Sequence, residues 1–536
     1  MLMTLTAPTA SSFSPDALVM VEGTVSGPQS LTATLNGVAL SQDGDFSETT
    51  SRDSVAWSDS PLWPVLGDAR SDSGSWARAR TTLLYGDSAD ASEPIEDGVS
   101  FRLTDNLLEA AGKEVAALLA LEELLVSKEP VTTIIGIDVY ITDLTYTALV
   151  PTLDFTTSGL SYALRIEGLS LEVLLDAGLF GSDETTLLAD AVTVRGEMLF
   201  GLDGAGGLAA TPTNTTVETE NLELFGTEDS FGLVDALLSD TLAGEVETAL
   251  IDAIDDLLTF QDALRSLEFS GVRIDNAFTR VQHDEDGVTV FAQSSITSKS
   301  GVALGERLTT DLGWSAPSGT TTPAGSEYEA GLFLDDDLIS ALGASLLAEG
   351  LLEQEVSGEL GSLTLDTTLL SNLVAGFDSL PEDQAVTLKT APTAVPVGVP
   401  GREGYISELH LGGLLLEFVT DGDGDGVPEP VMQVVIDAML GLTPGADASL
   451  VGVGLIDSSA SLLWSELGSP PEEVEPGLDS LISLAVPLLI GDLIGDALAF
   501  DLDGACISVV DGAAVEDRAA LFVALDFSGL SKDDGC

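Results

Sequence analysis

Cysteine is nearly missing from this 536-residue chain, which carries only Cys506 and Cys536. A dense disulfide scaffold is therefore excluded. Basic residues are also scarce: 18 Lys and Arg stand against 89 Asp and Glu, a formal net charge of −71. A surface of that sign repels phosphate backbones and anionic headgroups, and no run of the chain gathers enough Lys and Arg to offset it. Nucleic-acid binding is excluded. Counterions of a salty or calcium-rich medium would screen the self-repulsion.

Long apolar runs are missing too. The most apolar stretch, residues 480–491, is stopped by Asp479 and Asp492, short of the ~20 residues a membrane-spanning helix needs. Yet 44% of the residues are hydrophobic, and the mean hydropathy is +0.30. The surplus must be buried within the protein or reserved for an apolar ligand.

Catalytic signatures are equally thin. There is no Gly-x-Ser-x-Gly elbow, no phosphate-binding Walker lysine and no paired-histidine metal motif. The two histidines, His283 and His410, lie far apart in sequence. Aromatics make up 5% of the chain, so no acid pair sits among recognisable sugar-stacking platforms. A non-enzymatic protein is expected. The opening MLMTLTAPTASSF carries no basic residue, and the first is Arg52. Either the chain starts after export processing or its start is shortened. Composition favours an extracytoplasmic bacterial setting, periplasmic, surface-attached or secreted.

The length allows two to four domains. Residues 1–90 show short alternating runs between turn residues, as in Leu31-Thr32-Ala33-Thr34-Leu35, followed by Asn36-Gly37 and Asp43-Gly44-Asp45-Phe46. Beyond Pro94 the texture changes. Leu103, Leu107, Ala110, Leu118 and Leu121 mark an amphipathic helix over 103–127. Strands follow at 133–146, 152–155, 162–175, 191–202 and 216–225. A second helix over 231–264 carries Phe231, Val234, Leu238, Val246, Leu250, Ile254 and Leu257 as its stripe. Strands resume at 272–274 and 288–291. A Ser/Thr/Pro/Gly-rich stretch, 315–326, then reads as a linker.

The order then repeats. Leu338, Leu342 and Leu346 stripe a helix over 335–352, strands follow, and a helix over 476–500 precedes closing strands at 505–510 and 520–527. In the last helix Leu481, Ile482, Val486, Leu488, Leu489, Ile490, Leu493 and Ile494 leave almost no polar face. Such a helix is fully buried or lines a cavity for apolar material.

This arrangement resembles the tubular lipid-binding superfamily of the bactericidal/permeability-increasing type. Residues 328–350 (YEAGLFLDDDLISALGASLLAEG) are similar to the strand, turn, amphipathic helix and glycine that open that family's second barrel. Residues 478–502 (LDSLISLAVPLLIGDLIGDALAFDL) are similar to its closing helix, with Pro487 in mid-helix. Residues 33–46 resemble bacterial immunoglobulin-like modules. The resemblance implies an α+β fold: two elongated, helix-wrapped antiparallel β-barrels, pseudo-duplicated, behind a small β-sandwich. Domains at 1–90, 95–314 and 326–536 follow. It also implies an apolar tunnel for acyl or sterol-like ligands, lined by Leu107, Leu118, Leu250, Ile254, Leu338, Leu342, Leu346, Leu481, Leu489 and Leu493. The family's antibacterial members bind lipid A through a basic tip. Five lysines in the whole chain are a departure from that, and endotoxin recognition is not carried over.

Two local features complete the reading. In DGDGDGVPE, Asp421, Asp423, Asp425, Val427 and Glu429 occupy positions 1, 3, 5, 7 and 9 of an EF-hand-type loop. Met432 replaces the usual twelfth-position Glu, and the flanks read as strands. Calcium is the expected ion, as a structural site. Cys506 and Cys536 are expected to pair and fasten the chain end. A lipid carrier is the leading reading, with transient membrane contact and no transmembrane segment. A calcium-stabilised structural or adhesive surface protein is the alternative.

Overall fold

The computed structural model describes the chain except residues 28–30, 41–43, 53–59, 109–125, 127–128, 135, 227–237, 239–240, 258–263, 270–271, 311–313, 316, 361–362, 403, 423–425, 445–450, 498–505 and 527–536. It is mostly strand, in several curled, half-barrel sheets with few helices.

The alternating N-terminal runs become two facing sheets. Leu2–Ala7, Leu18–Ser26 and Gly44–Ser51 form one; Phe13–Ser14, Leu31–Leu35, Val38–Ala39, Leu62–Ser71 and Trp76–Tyr85 form the other. Leu31, Ala33 and Leu35 point inward at a period of two and share a core with Met3, Val21 and Trp63. Asn36 and Gly37 both take positive φ, 47° and 80°, as a two-residue hairpin turn requires.

A seven-stranded antiparallel sheet forms the middle of the molecule. Its order is Ser266–Phe269, Val272–Asp284, Gly287–Ser298, Ile95–Thr104, Ala330–Asp335, Arg518–Asp526, Cys506–Val515. The two central strands pair from Val99 with Leu334 to Leu103 with Ala330. Each is flanked by the hairpin that ends its own half of the chain. One face of this sheet joins the main core through Leu103, Leu334 and Leu521. The other carries Tyr328, Phe333 and Phe522 against Trp314. The stretch read as a linker is strapped over that second face: Arg102 Nε donates to Gly319 O at 3.3 Å and Asn106 Nδ2 to Thr320 O at 3.1 Å. It is no free tether.

Each half adds a flanking sheet. The first runs Thr132–Ile134, Ile137–Thr145, Gly159–Asp176, Ser182–Leu202, Leu208–Glu220. The second runs Leu363–Leu365, Glu355–Leu360, Thr387–Pro392, Ser407–Thr420, Glu429–Pro444, Val451–Ser465, with Val397–Pro400 beside Ser407–Thr420. Register shifts at residues 141–143, 195–197 and 411–414 are bulges that bend the long strands. Four α-helices are used below: α1 (Ala243–Leu257), α2 (Asp336–Ala348), α3 (Thr367–Leu373) and α4 (Pro471–Ala497). α1 packs on Leu208–Glu220, and α4 packs on Val451–Ser465 with α3 beside it.

The helix expected from residue 103 starts later, because strand pairing holds the chain through Thr104; residues 105–108 are its described part. α4 starts earlier than its pattern indicates, at Pro471, since a proline with no N–H to lose is tolerated at a first helical position. Among the described residues no helix is long and apolar enough to cross a membrane.

Candidate functional site

Seven of the residues expected to line a tunnel lie in one continuous buried apolar core: Leu107, Leu250, Ile254, Leu338, Leu342, Leu346 and Leu481. Period-3.6 spacing puts Val246, Leu250 and Ile254 on the face of α1 turned inward, all at 6% exposure or less. The same core takes Leu164, Ile166, Val192 and Val194 from the curled first-half sheet. A polar chain closes this region: Tyr162 Oη lies 2.9 Å from Thr215 Oγ1, which donates to Glu247 Oε2 at 2.8 Å. Burial pushes the Tyr162 phenol up. Leu118 lies outside the described residues. Leu489 and Leu493 belong to α4, but their side chains also lie outside them.

α2 is packed solidly on its strand side. Ser340 Oγ accepts from Gly398 N at 2.9 Å and donates to Gly398 O at 3.3 Å. A Cβ on Gly343 would stand 2.8 Å from Pro396 O, and one on Gly398 would stand 2.7 Å from Ile339 Cβ. Both positions need glycine because helix and strand backbones touch.

The N-terminal sandwich docks on the second-half sheet through charged groups that the sequence pattern hides. Arg80 pairs with Asp437 and donates to Ser461 Oγ at 2.5 Å. Asp437 Oδ1 also accepts from Gly413 N at 2.7 Å and Thr82 Oγ1 at 3.3 Å. Burial pushes the Arg80 guanidinium down to about 10, with Glu475 pulling it up and Arg78 pressing it further down. Gly412 and Gly413 form a bulge here; a Cβ on Gly412 would meet Leu62 and Thr82 at 2.8 Å. Arg78 bridges Asp68 and Glu475, and Arg70 reaches Glu472 at 3.2 Å. In sequence, the alternation Ala77-Arg78-Ala79-Arg80 is the pattern of a solvated strand face, which conceals the contact. The signal that could have found it is the concentration of Arg70, Arg78 and Arg80 in one hairpin of an acid-dominated chain.

The same seam holds a serine, a histidine and a glutamate. Ser60 Oγ lies 2.7 Å from His410 Nδ1, and His410 Nε2 lies 2.9 Å from Glu408 Oε2. Burial works to raise the Glu408 carboxyl, but the hydrogen bonds of His410 and Arg402 outweigh it and hold it below its ordinary value. The order resembles a nucleophile relay. All three are at most 1% exposed, however, and Ser60 Oγ also accepts from Leu62 N at 3.1 Å. Sealed in this way, the trio ties the sandwich to the sheet. Beside the seam is a cleft of about 850 Å³ whose lining includes Trp76, Arg78, Glu417, Gln433 and Trp464. A smaller apolar cavity of about 290 Å³ opens by α2, between Phe13, Leu304, Leu347 and Val395.

No family of known proteins matches this chain, and no curated protein does either. Solved structures do. A lipopolysaccharide binding protein aligns over 81% of this chain and 99% of its own, at 15% identity and a TM-score of 0.40. P47 of Clostridium botulinum E1 aligns over 81% and 100%, at 9% identity and a TM-score of 0.25. A Ca2+-stabilized ice-binding adhesin of an Antarctic bacterium aligns over 86% and 98%, at 9% identity and a TM-score of 0.12. At such identities the chemistry of this chain rests on its own residues.

The acidic loop 421–429 joins Ser407–Thr420 to Glu429–Pro444 as a hairpin, with Thr420 opposite Glu429. Asp421 Oδ2 accepts from Gly426 N at 2.9 Å. Val427 is exposed, and Asp423 and Asp425 lie outside the described residues. Cys506 opens a strand of the central sheet. Its side chain and the whole of Cys536 lie outside the described residues.

Sequence reasoning missed one further group. Asp335, Asp336 and Asp517 are buried side by side. The run Asp335-Asp336-Asp337 is visible in sequence as the turn into a helix, whereas Asp517 comes from a distant hairpin.

Proposed function

We propose that this protein binds lipid, holding acyl or sterol-like chains in its apolar interior, and that it performs no chemistry on them. One observation carries the reading. Among the described residues α4 packs mainly on the strand Val451–Ser465 of one curled sheet, yet residues 480–491 within it include no charged side chain. A helix on one sheet needs one apolar face. By sequence this one has more apolar residues than one face takes, and an apolar ligand would cover the surplus. Each CH₂ of such a ligand withdrawn from water contributes about 0.8 kcal/mol, so affinity needs few polar contacts. The repeated order of strand, helix, curled sheet, helix and hairpin is part of the same reading, as a duplicated pair of helix-wrapped barrels behind an immunoglobulin-like module. An extracytoplasmic setting and a bridge between Cys506 and Cys536 belong to it too.

The test is mass spectrometry of an organic extract of the purified protein. Bound lipid should be recovered, the delipidated protein should melt lower, and added lipid should restore it. A delipidated sample that melts unchanged and takes up no fluorescent acyl probe would sink the proposal.

Calcium in loop 421–429 is proposed as a structural element of the same protein. The triple variant Asp421→Asn, Asp423→Asn, Asp425→Asn keeps size and removes three charges. Calorimetric stoichiometry should fall by one site. An unchanged stoichiometry would leave the loop a solvated turn.

A further inference from the structure

Where α2 begins, four carboxylates crowd around two guanidiniums. Asp335 ends the strand Ala330–Asp335 and caps α2, accepting from Asp337 N at 2.7 Å. Arg518 pairs with Asp335. Arg307 pairs with Asp337 at 2.6 Å. Arg518 also serves Asp517, so two guanidiniums are shared among four carboxylates. Asp336 and Asp517 are 2% and 3% exposed. Among the described residues, the Asp336 carboxylate is held by the hydroxyl of Thr310, 2.8 Å from both its oxygens. Asp517 Oδ1 is buried and accepts no hydrogen bond from them, although Arg518 Nε is 3.3 Å away.

Four carboxylates against two guanidiniums leave an excess of two negative charges, which burial makes costly. The protein thus has to neutralise this pocket with protons or with a cation. Geometry favours the cation. One oxygen from each of Asp335, Asp336 and Asp517 lies within 4.8 Å of the other two. Oxygens on opposite sides of a calcium ion are about 4.6–5.2 Å apart, given its 2.3–2.6 Å bonds. The unsatisfied oxygen of Asp517 is a ligand atom in waiting.

We propose that Asp335, Asp336 and Asp517 hold a hard divalent cation of the calcium type, which clamps the start of α2 to the 515–518 turn beside residues 306–310. The site is distinct from loop 421–429 and from the apolar interior, so its failure would leave both standing.

Terbium, a luminescent stand-in for calcium, tests it. The Arg518 guanidinium that pairs with Asp335 lies 5.0 Å from the Trp314 ring, so Trp314 can sensitise an ion held here. The measurement is made in the triple Asp421→Asn, Asp423→Asn, Asp425→Asn background, to silence the loop. One saturable emission that calcium competes away is expected. Trp314→Phe should lose the emission yet keep a calcium-dependent rise in melting temperature. Asp517→Asn should lose both. If Asp517→Asn does not fold, Asp336→Asn and the calcium competition on the unsubstituted site still decide. Emission unchanged by Trp314→Phe and Asp517→Asn means diffuse surface binding and overturns the proposal. So does a chelated protein that acid stabilises and calcium does not, which would mean that protons alone fill the site.

Discussion

Asp437→Ala is expected to destabilise the protein by about 3–5 kcal/mol, the usual cost of stranding one member of a buried ion pair. The Arg80 side chain is 3% exposed and that of Asp437 fully buried. Even pushed down to about 10, the guanidinium stays protonated at neutral pH. Without Asp437 it would keep Ser461 Oγ and a 3.5 Å contact to Val435 O, which carry no charge. The same substitution strips an acceptor from Gly413 N and Thr82 Oγ1, so two further groups lose their partners. The double variant Arg80→Met, Asp437→Leu separates the pair's net contribution from the cost of breaking it. Apolar replacement of both partners should recover most of the loss, as it removes the desolvation penalty along with the attraction. Denaturant midpoints of the single and double variants measure this. Equal losses in both would mean that the seam depends on the charge itself.

That seam marks the limit of what the sequence discloses. Local periodicity is a property of neighbours, so the strands around Tyr162 and Val192 and the helix at Leu338 were legible. Their lengths were not. The strand Ser182–Leu202 runs 21 residues, well beyond the 191–202 that alternation alone marks, because it opens on the polar run Ser182-Asp183-Glu184-Thr185-Thr186, which carries no apolar period. Pairings across hundreds of residues leave no local trace. Nothing in Ile95–Thr104 announces that it will lie against Ala330–Asp335, nor that Asp517 will sit beside Asp336. Charged residues misled in a consistent way. Arg80, Arg102, Asp336 and Asp437 read as surface by type, yet the side chains of all four are buried where separate parts of the chain meet. The acid-rich composition concealed which few acids matter.

The leucine stripe of α2 raises a different ambiguity, since apolar periodicity is the same for a helix that fills a core and one that lines a cavity. Leu342→Ala is expected to lose about 2–5 kcal/mol, the range for a leucine truncated in a packed core. Three features favour filling here. Leu342 is 6% exposed. Its neighbour Gly343 presses the helix against Pro396 at backbone distance. Ser340 locks the same turn to Gly398. A helix fixed on one side cannot slide to fill a void left on the other, so the cavity term should persist in full. Leu342→Asp should do worse, because an unpaired carboxylate there would sit in the same apolar core as Leu338 and Leu346. Two readouts on Leu342→Ala distinguish the roles: the denaturant midpoint and the affinity for an acyl probe. A lower midpoint with unchanged affinity makes Leu342 core. An unchanged midpoint with weakened affinity would make it ligand-lining, and the apolar interior available to lipid would then extend along α2 to the joint between the two halves.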